Sequence, residues 1–109
     1  MAELEGDRPA DVVIDTRVDP TGAPIVTLSG ELDSSNVGML EATVASITAD
    51  QPERLIFDLS GLRFMDSAGI AVLIGAAAMV NAVHLRDPSP IVRRVVEVTG
   101  LSDVLLIES

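Results

Sequence analysis

The 109-residue chain contains no cysteine, no tryptophan and no tyrosine, and its only aromatic side chains of the Phe/Trp/Tyr class are Phe57 and Phe64. Without cysteine there are no disulfides, thiolate metal sites or thiol nucleophiles. Lysine is absent too. All seven basic residues are arginine, set against 17 acidic ones, for a formal charge of −10. Nucleic-acid binding rests on clustered Lys and Arg that neutralise phosphates, so this balance disfavours it. The adjacent pair Arg93 and Arg94 is too small to reverse the sign. An acidic membrane surface is disfavoured on the same ground. Long apolar runs are missing as well: the longest uncharged one, Ala68 to Val80, has 13 residues, and a helix needs about 20 to cross a bilayer core. The first stretch, MAELEGDRPADV, is acidic and has no apolar h-region of a signal peptide. These absences predict a soluble, cytoplasmic protein without nucleic-acid partner or membrane insertion.

What remains is aliphatic. Apolar residues make up 48% of the chain, enough at this length for one domain with its own core. Residues 1–10, interrupted by Gly6 and Pro9, read as a short disordered acidic lead; residues 11–109 read as the domain. Val12 to Val18 is a strand, Asp19-Pro20-Thr21-Gly22 is turn chemistry, and Pro24 to Leu28 returns as a second strand of a hairpin. Asp33, Ser34, Ser35 and Asn36 are all N-cap types. Val37, Leu40, Val44 and Ile47 then mark one face of a helix from about Ser35 to Ala49. After Gln51-Pro52, Arg54 to Leu59 is a short strand whose LIF run suits burial on both faces. Ser60 to Arg63 reads as a loop.

From Ala68 the segment GIAVLIGAAAMV has no polar face, so this helix is either buried or covered in part by a partner. Gly75 inside it allows close approach of another backbone, and Asn81 is suited to end it in the left-handed conformation. Val83 to Arg86 alternates like a strand. Ser89-Pro90 starts a last helix with Ile91, Val95 and Val98 on one face and Val92 and Val96 beside it, Gly100 stops it, and Val104 to Ile107 forms a final strand. Helices alternating with strands predict an α/β fold.

Enzymatic readings fail by subtraction. A serine hydrolase needs a base beside its nucleophile; His84 is the only histidine, and Asp66-Ser67-Ala68-Gly69 lacks the flanking glycines of a nucleophile elbow. Carboxylates are scattered without a metal-site spacing, and no glycine loop with lysine is present to hold a nucleotide. No cofactor, metal or catalytic residue is assigned. Ser67 stands out instead, at the mouth of the most apolar helix, where unpaired N–H groups and the helix dipole favour an anion. Two readings are open on physics alone. Ser67 is a helix cap, the commoner fate of a serine there, or it is a site that takes a phosphate carrying about −1.5 to −2 charges.

The stretches LSGELDSSN (Leu28 to Asn36), LIFDLSGLRFMDSAGIAVLI (Leu55 to Ile74) and PSPIVRRVVEVTGL (Pro88 to Leu101) together resemble the STAS-domain family of bacterial anti-sigma factor antagonists, over roughly residues 10 to 108. The resemblance implies a single α/β domain with a small, mostly parallel mixed sheet of four to five strands and about three helices mainly on one side. It implies a non-enzymatic protein that works by partner switching. The unphosphorylated form binds an anti-sigma factor and frees a sigma factor, phosphorylation of Ser67 by that ATP-using serine kinase ends the complex, and a PP2C-type phosphatase resets the cycle. Ala68 stands where a second serine is often found, so Ser67 alone in the motif would carry the phosphate. Asp33, at the end of Gly30-Glu31-Leu32-Asp33, matches an aspartate near the phosphoserine, and Asp66, Ser67, Ala68 and Gly69 complete the partner-binding surface. The connection from the second helix to the next strand is shorter than usual for the family, which implies a shortened helix or a tight loop. The alternative is a STAS module of a lipid-transporting ABC complex or a stress-signalling scaffold, docking through the same face without phosphorylation. A monomer or weak dimer is compatible with either.

Overall fold

A computed structural model describes residues 11–108; the lead expected over residues 1–10 lies outside them. Strands β1 (Val12–Val18) and β2 (Pro24–Leu32) form the expected antiparallel hairpin. Its turn is built on Asp19, whose carboxylate accepts from the Thr21 hydroxyl at 2.6 Å and from the Thr21 and Ala23 N–H groups at 2.9 Å. Gly22 completes the turn at φ +90°. The Thr21 hydroxyl, more than the two N–H groups or the nearby Arg54, draws the Asp19 carboxyl below its ordinary range against a partial desolvation that opposes it.

Helix α1 (Val37–Thr48) then leads to β3 (Arg54–Met65), α2 (Ser67–Ala77) to β4 (Ala82–Arg86), and α3 (Pro90–Val98) with a 3-10 turn at Leu101–Asp103 to β5 (Leu105–Glu108). The five strands lie in chain order, and every pairing after the hairpin is parallel. Crossovers of one hand, all stepping in the same direction, place their helices on one face of the sheet. Here that face carries the core. Val26, Leu28, Leu32, Leu55, Phe57, Leu59, Val83, Leu85 and Leu105 point from the strands toward Leu40, Val44, Leu73, Ala76, Val92 and Val96 of the three helices. The strand positions alternate because successive side chains face opposite sides. Ile25 and Ile56, paired across β2 and β3, fall on the other face in a small separate cluster with Ala23. No helix among the described residues is long and apolar enough to cross a membrane.

Three local expectations are corrected. First, β2 does not stop at Leu28 but runs to Leu32, and Ser60 to Arg63 is strand, not loop. The pairs Ser29↔Gly61, Gly30↔Leu62, Glu31↔Phe64 and Leu32↔Met65 continue the parallel ladder through two register irregularities. These break the simple two-residue alternation that strand recognition depends on. Gly30 is required there: it sits at φ +97°, and a Cβ would run into the main-chain carbonyl of Asp11, which accepts from Glu31 N–H at 2.8 Å.

Second, Asn81 does not end α2 in the left-handed region. The helix stops at Ala77 with Ala78 still right-handed, and the Asn81 side chain donates to Glu53 Oε2 at 2.7 Å. Among the described non-glycine residues it is Gln51 and Asp87 that take positive φ. Gln51 closes α1, its N–H donating to the Thr48 carbonyl at 2.9 Å. The short link to β4 is therefore met by a shortened helix and a turn in which Ala78 and Met79 N–H groups donate back to Gly75 and Ala76. Third, α1 begins at Val37, two residues later than expected, because the N-cap types before it build a turn of their own. The last helix matches its sequence signals at both ends, where Ser89 accepts from Val92 N–H at 3.3 Å, Pro90 is the first helical residue and Gly100 takes φ +76°, but its buried face is Val92 and Val96, while Ile91 and Val98 are exposed.

Candidate phosphoacceptor site

The parallel strands β2 and β3 end side by side, with Leu32 paired to Met65. Asp33 and Asp66 are the next residues on each strand, so the ladder itself brings them together. Helices α1 and α2 start from this same edge, the carboxyl end of parallel strands where α/β proteins place their sites.

On the first strand, residues 33–36 fold into a closed turn. One Asp33 oxygen accepts from the Ser35 hydroxyl at 2.5 Å and from Ser35 N–H at 2.9 Å. Asn36, nearly buried, accepts from Asp33 N–H at 3.0 Å and donates to the Glu31 carbonyl at 2.9 Å. The Ser35 hydroxyl is the main reason that the Asp33 carboxyl lies below its ordinary range, followed by the Ser35 and Asn36 main-chain groups, while desolvation opposes them. Asn36 could be read from sequence only as one N-cap type among four; its burial and two-way bonding come from the turn that closes around it.

On the second strand the cap is Asp66, not Ser67. Asp66 is extended, and its Oδ1 accepts from Ala68 N–H at 2.9 Å and from Gly69 N–H at 3.4 Å. Asp66 Oδ2 accepts from Ser34 N–H at 3.3 Å, which joins the two halves of the site. Ser67 is the first residue of α2. It is exposed, and its hydroxyl makes no hydrogen bond among the described residues. The neighbour does the capping, and the serine oxygen is left facing solvent.

A family model described as the STAS domain matches residues 11–109. The chain belongs to the STAS domain family. Over 89 residues it is 33% identical to an anti-sigma F factor antagonist of Paenibacillus polymyxa, covering 77% of this chain and 76% of that one. Over 82 residues it is 35% identical to an anti-sigma F factor antagonist of Lysinibacillus sphaericus, covering 71% and 70%. The crystal structure of an anti-sigma factor antagonist from Mycobacterium paratuberculosis superposes with a TM-score of 0.79 at 26% identity, covering 89% of this chain and 85% of that one. The unphosphorylated form of the anti-sigma factor antagonist SpoIIAA, at 24% identity and a TM-score of 0.74 over 89% of each chain, shares the fold.

In this STAS domain the exposed face of α2 continues downward from Ser67. Ala71, Ile74, Gly75 and Ala78 are exposed along it, while Gly69, Leu73 and Ala76 are buried on the opposite face. The helix is therefore not wholly buried: one strip of its apolar surface is exposed. Beside it, a groove of about 320 Å³ between α1 and α2 is lined by Val44, Ala45, Thr48, Val72 and Met79, with Glu41 at its rim. Gly69 belongs under the surface. A Cβ there would lie 2.5 Å from Met65 Cγ and 2.8 Å from Leu32 Cδ2, so the glycine lets α2 settle onto the ends of β2 and β3.

His84 plays no part at this site. It lies on β4 opposite Ile56, with Nδ1 2.9 Å from Glu108 Oε2, and Arg86 Nε is 3.3 Å from the other oxygen of the same carboxylate. From Ile56 to Met65 the strand runs roughly 30 Å at about 3.3 Å per residue, so no base from His84 reaches Ser67.

Proposed function

We propose that this STAS domain is an anti-sigma factor antagonist that works by partner switching, with Ser67 as its phosphoacceptor. The observation that carries the reading is the exposed, unbonded Ser67 hydroxyl at the first position of α2, next to a cap supplied by Asp66. The names of the curated relatives support the same role. The chain supplies an acceptor and a surface, and the phosphoryl chemistry belongs to the partner, an anti-sigma factor serine kinase. In that step the Ser67 oxygen attacks the γ-phosphorus of ATP and loses its proton, and ADP departs. The unmodified form holds the anti-sigma factor through Asp33, Ser67, Ala68 and the apolar strip of α2, with Asp66 and Gly69 acting from beneath.

Phosphorylation adds about −1.5 to −2 charges to an edge that already carries Asp33, Asp66 and Glu31, on a chain of formal charge −10. The helix N-terminus stabilises the new anion within the domain. The apolar partner contact beside it is broken by the hydration that a dianion keeps. A PP2C-type phosphatase restores the hydroxyl. Incubation with the anti-sigma factor kinase of the source organism and Mg-ATP, followed by intact mass, tests this. One phosphate on the wild type and none on Ser67→Ala is expected; equal labelling of both chains removes Ser67 from the role.

A further inference from the structure

Both oxygens of the Asp66 carboxylate are committed inside the chain. Oδ1 holds the Ala68 and Gly69 N–H groups, which is all that an N-cap requires. Oδ2 does something a cap does not need: it reaches the Ser34 N–H of another element, 32 residues away in sequence, at 3.3 Å. The turn that it grips is closed on itself, through the Asp33 bonds to Ser35 and the Asn36 bonds to Asp33 and Glu31. A turn braced in that way moves as a unit, so one tie fixes its position relative to α2. The main-chain bond from Asp66 N–H to the Leu32 carbonyl, at 3.2 Å, levels the two strand ends beneath it.

Resting on the reading of Ser67 as phosphoacceptor, we infer that Asp66 is a positioning residue: it ties the Asp33 turn to the start of α2, so that Ser67 and Asp33 meet the kinase in one fixed arrangement. It also leaves the Ser67 hydroxyl unoccupied, because the amides that a serine would otherwise cap are already taken. Asp66 acts on recognition through the geometry of its neighbours, and its carboxylate makes no contact with the partner.

Asp66→Asn separates capping from tethering. Its single amide oxygen caps α2 about as well as a carboxylate does. Its NH₂ group is a donor and faces the Ser34 N–H, another donor, so the tether is cut. A second variant, Asp66→Ser, keeps a one-oxygen cap and guards against a defect peculiar to asparagine. In both, helix content and melting temperature are expected to stay close to wild type while the Ser34 amide resonance moves in a ¹H–¹⁵N spectrum. With the anti-sigma factor kinase of the source organism and Mg-ATP, KM for the variant chains is expected to rise about three- to tenfold, the equivalent of one lost hydrogen bond, with kcat little changed. The rise should persist at high salt.

A gap between variant and wild-type KM that closes at high salt because the wild-type value rises would report a charge sensed directly by the partner, and it overturns the positioning role. So does a Ser34 resonance, or a KM, that does not move while the wild type is phosphorylated normally. A wild-type chain that accepts no phosphate fails differently: it removes the phosphoacceptor reading, and this role with it.

Discussion

Two glycines of α2 carry the same substitution to opposite outcomes, which makes them a direct test of how the helix is seated. At Gly69, an added methyl would lie 2.5 Å from Met65 Cγ, 2.8 Å from Leu32 Cδ2 and 2.9 Å from Met65 Sδ. Leu32 is fully buried. Forcing a methyl group into a packed site costs about 1–3 kcal/mol, and the gain in helix propensity from Gly to Ala returns at most about 1 kcal/mol. Gly69→Ala should therefore lose about 1 kcal/mol net. At Gly75 a Cβ meets nothing within 4 Å, so only the propensity gain remains and Gly75→Ala should stabilise by about 0.5–1 kcal/mol. For a domain of this size 1 kcal/mol moves the melting temperature by about 4–8 °C. The two variants should fall on either side of wild type and differ by roughly 10 °C. Far-UV circular dichroism melts measure this, and urea titrations should show shifted midpoints at an unchanged slope. If both variants rise by similar amounts, Gly69 is not a packing glycine and the seating of α2 on Met65 and Leu32 is wrong.

Three further outcomes follow from particular contacts. Gly30→Ala meets both a positive φ and the Asp11 carbonyl, and should lose about 2–4 kcal/mol in a urea titration; a loss under 1 kcal/mol would mean that the β2 irregularity is not anchored there. Asp33 is held below its ordinary range by Ser35. Its contribution is therefore complete above the unfolded aspartate pKa and disappears as pH falls through the lower folded value. Asp33→Asn should be less stable than wild type at neutral pH, with the gap in melting temperature closing only in strong acid; a gap that is independent of pH would contradict the Ser35 bonds. Ser67→Asp should weaken anti-sigma factor binding in a calorimetric titration, since it supplies part of the phosphate charge, and unchanged affinity would count against electrostatic release.

Much of the architecture is legible in the chain because its signals are local. The hairpin turn at Asp19 to Gly22 contains its own bonding partners within four residues. The start of α3 at Ser89-Pro90 and its stop at Gly100 are likewise self-contained. The alternation of strands with amphipathic helices specifies parallel pairing, because each return strand needs a crossover. The family resemblance points to Ser67, Asp66 and Asp33 together, and the register of β2 and β3 sets Asp33 and Asp66 side by side.

What the chain could not show depends on partners distant in sequence. Ser60 to Arg63 is polar and exposed enough to read as a loop, and it is strand only because Ser29 to Leu32 lies alongside it. Asn81 has the chemistry of a helix terminator, yet a nearby Glu53 carboxylate and a tight turn to β4 give it another use. By itself the sequence determined that Ser67 stands at the start of an apolar helix. Tertiary structure decided what its oxygen is free to do. The parallel register of β2 and β3 brings Asp66 level with the Asp33 turn, the Asp66 carboxylate takes the helix amides and Ser34 together, and the serine hydroxyl is left with solvent as its neighbour.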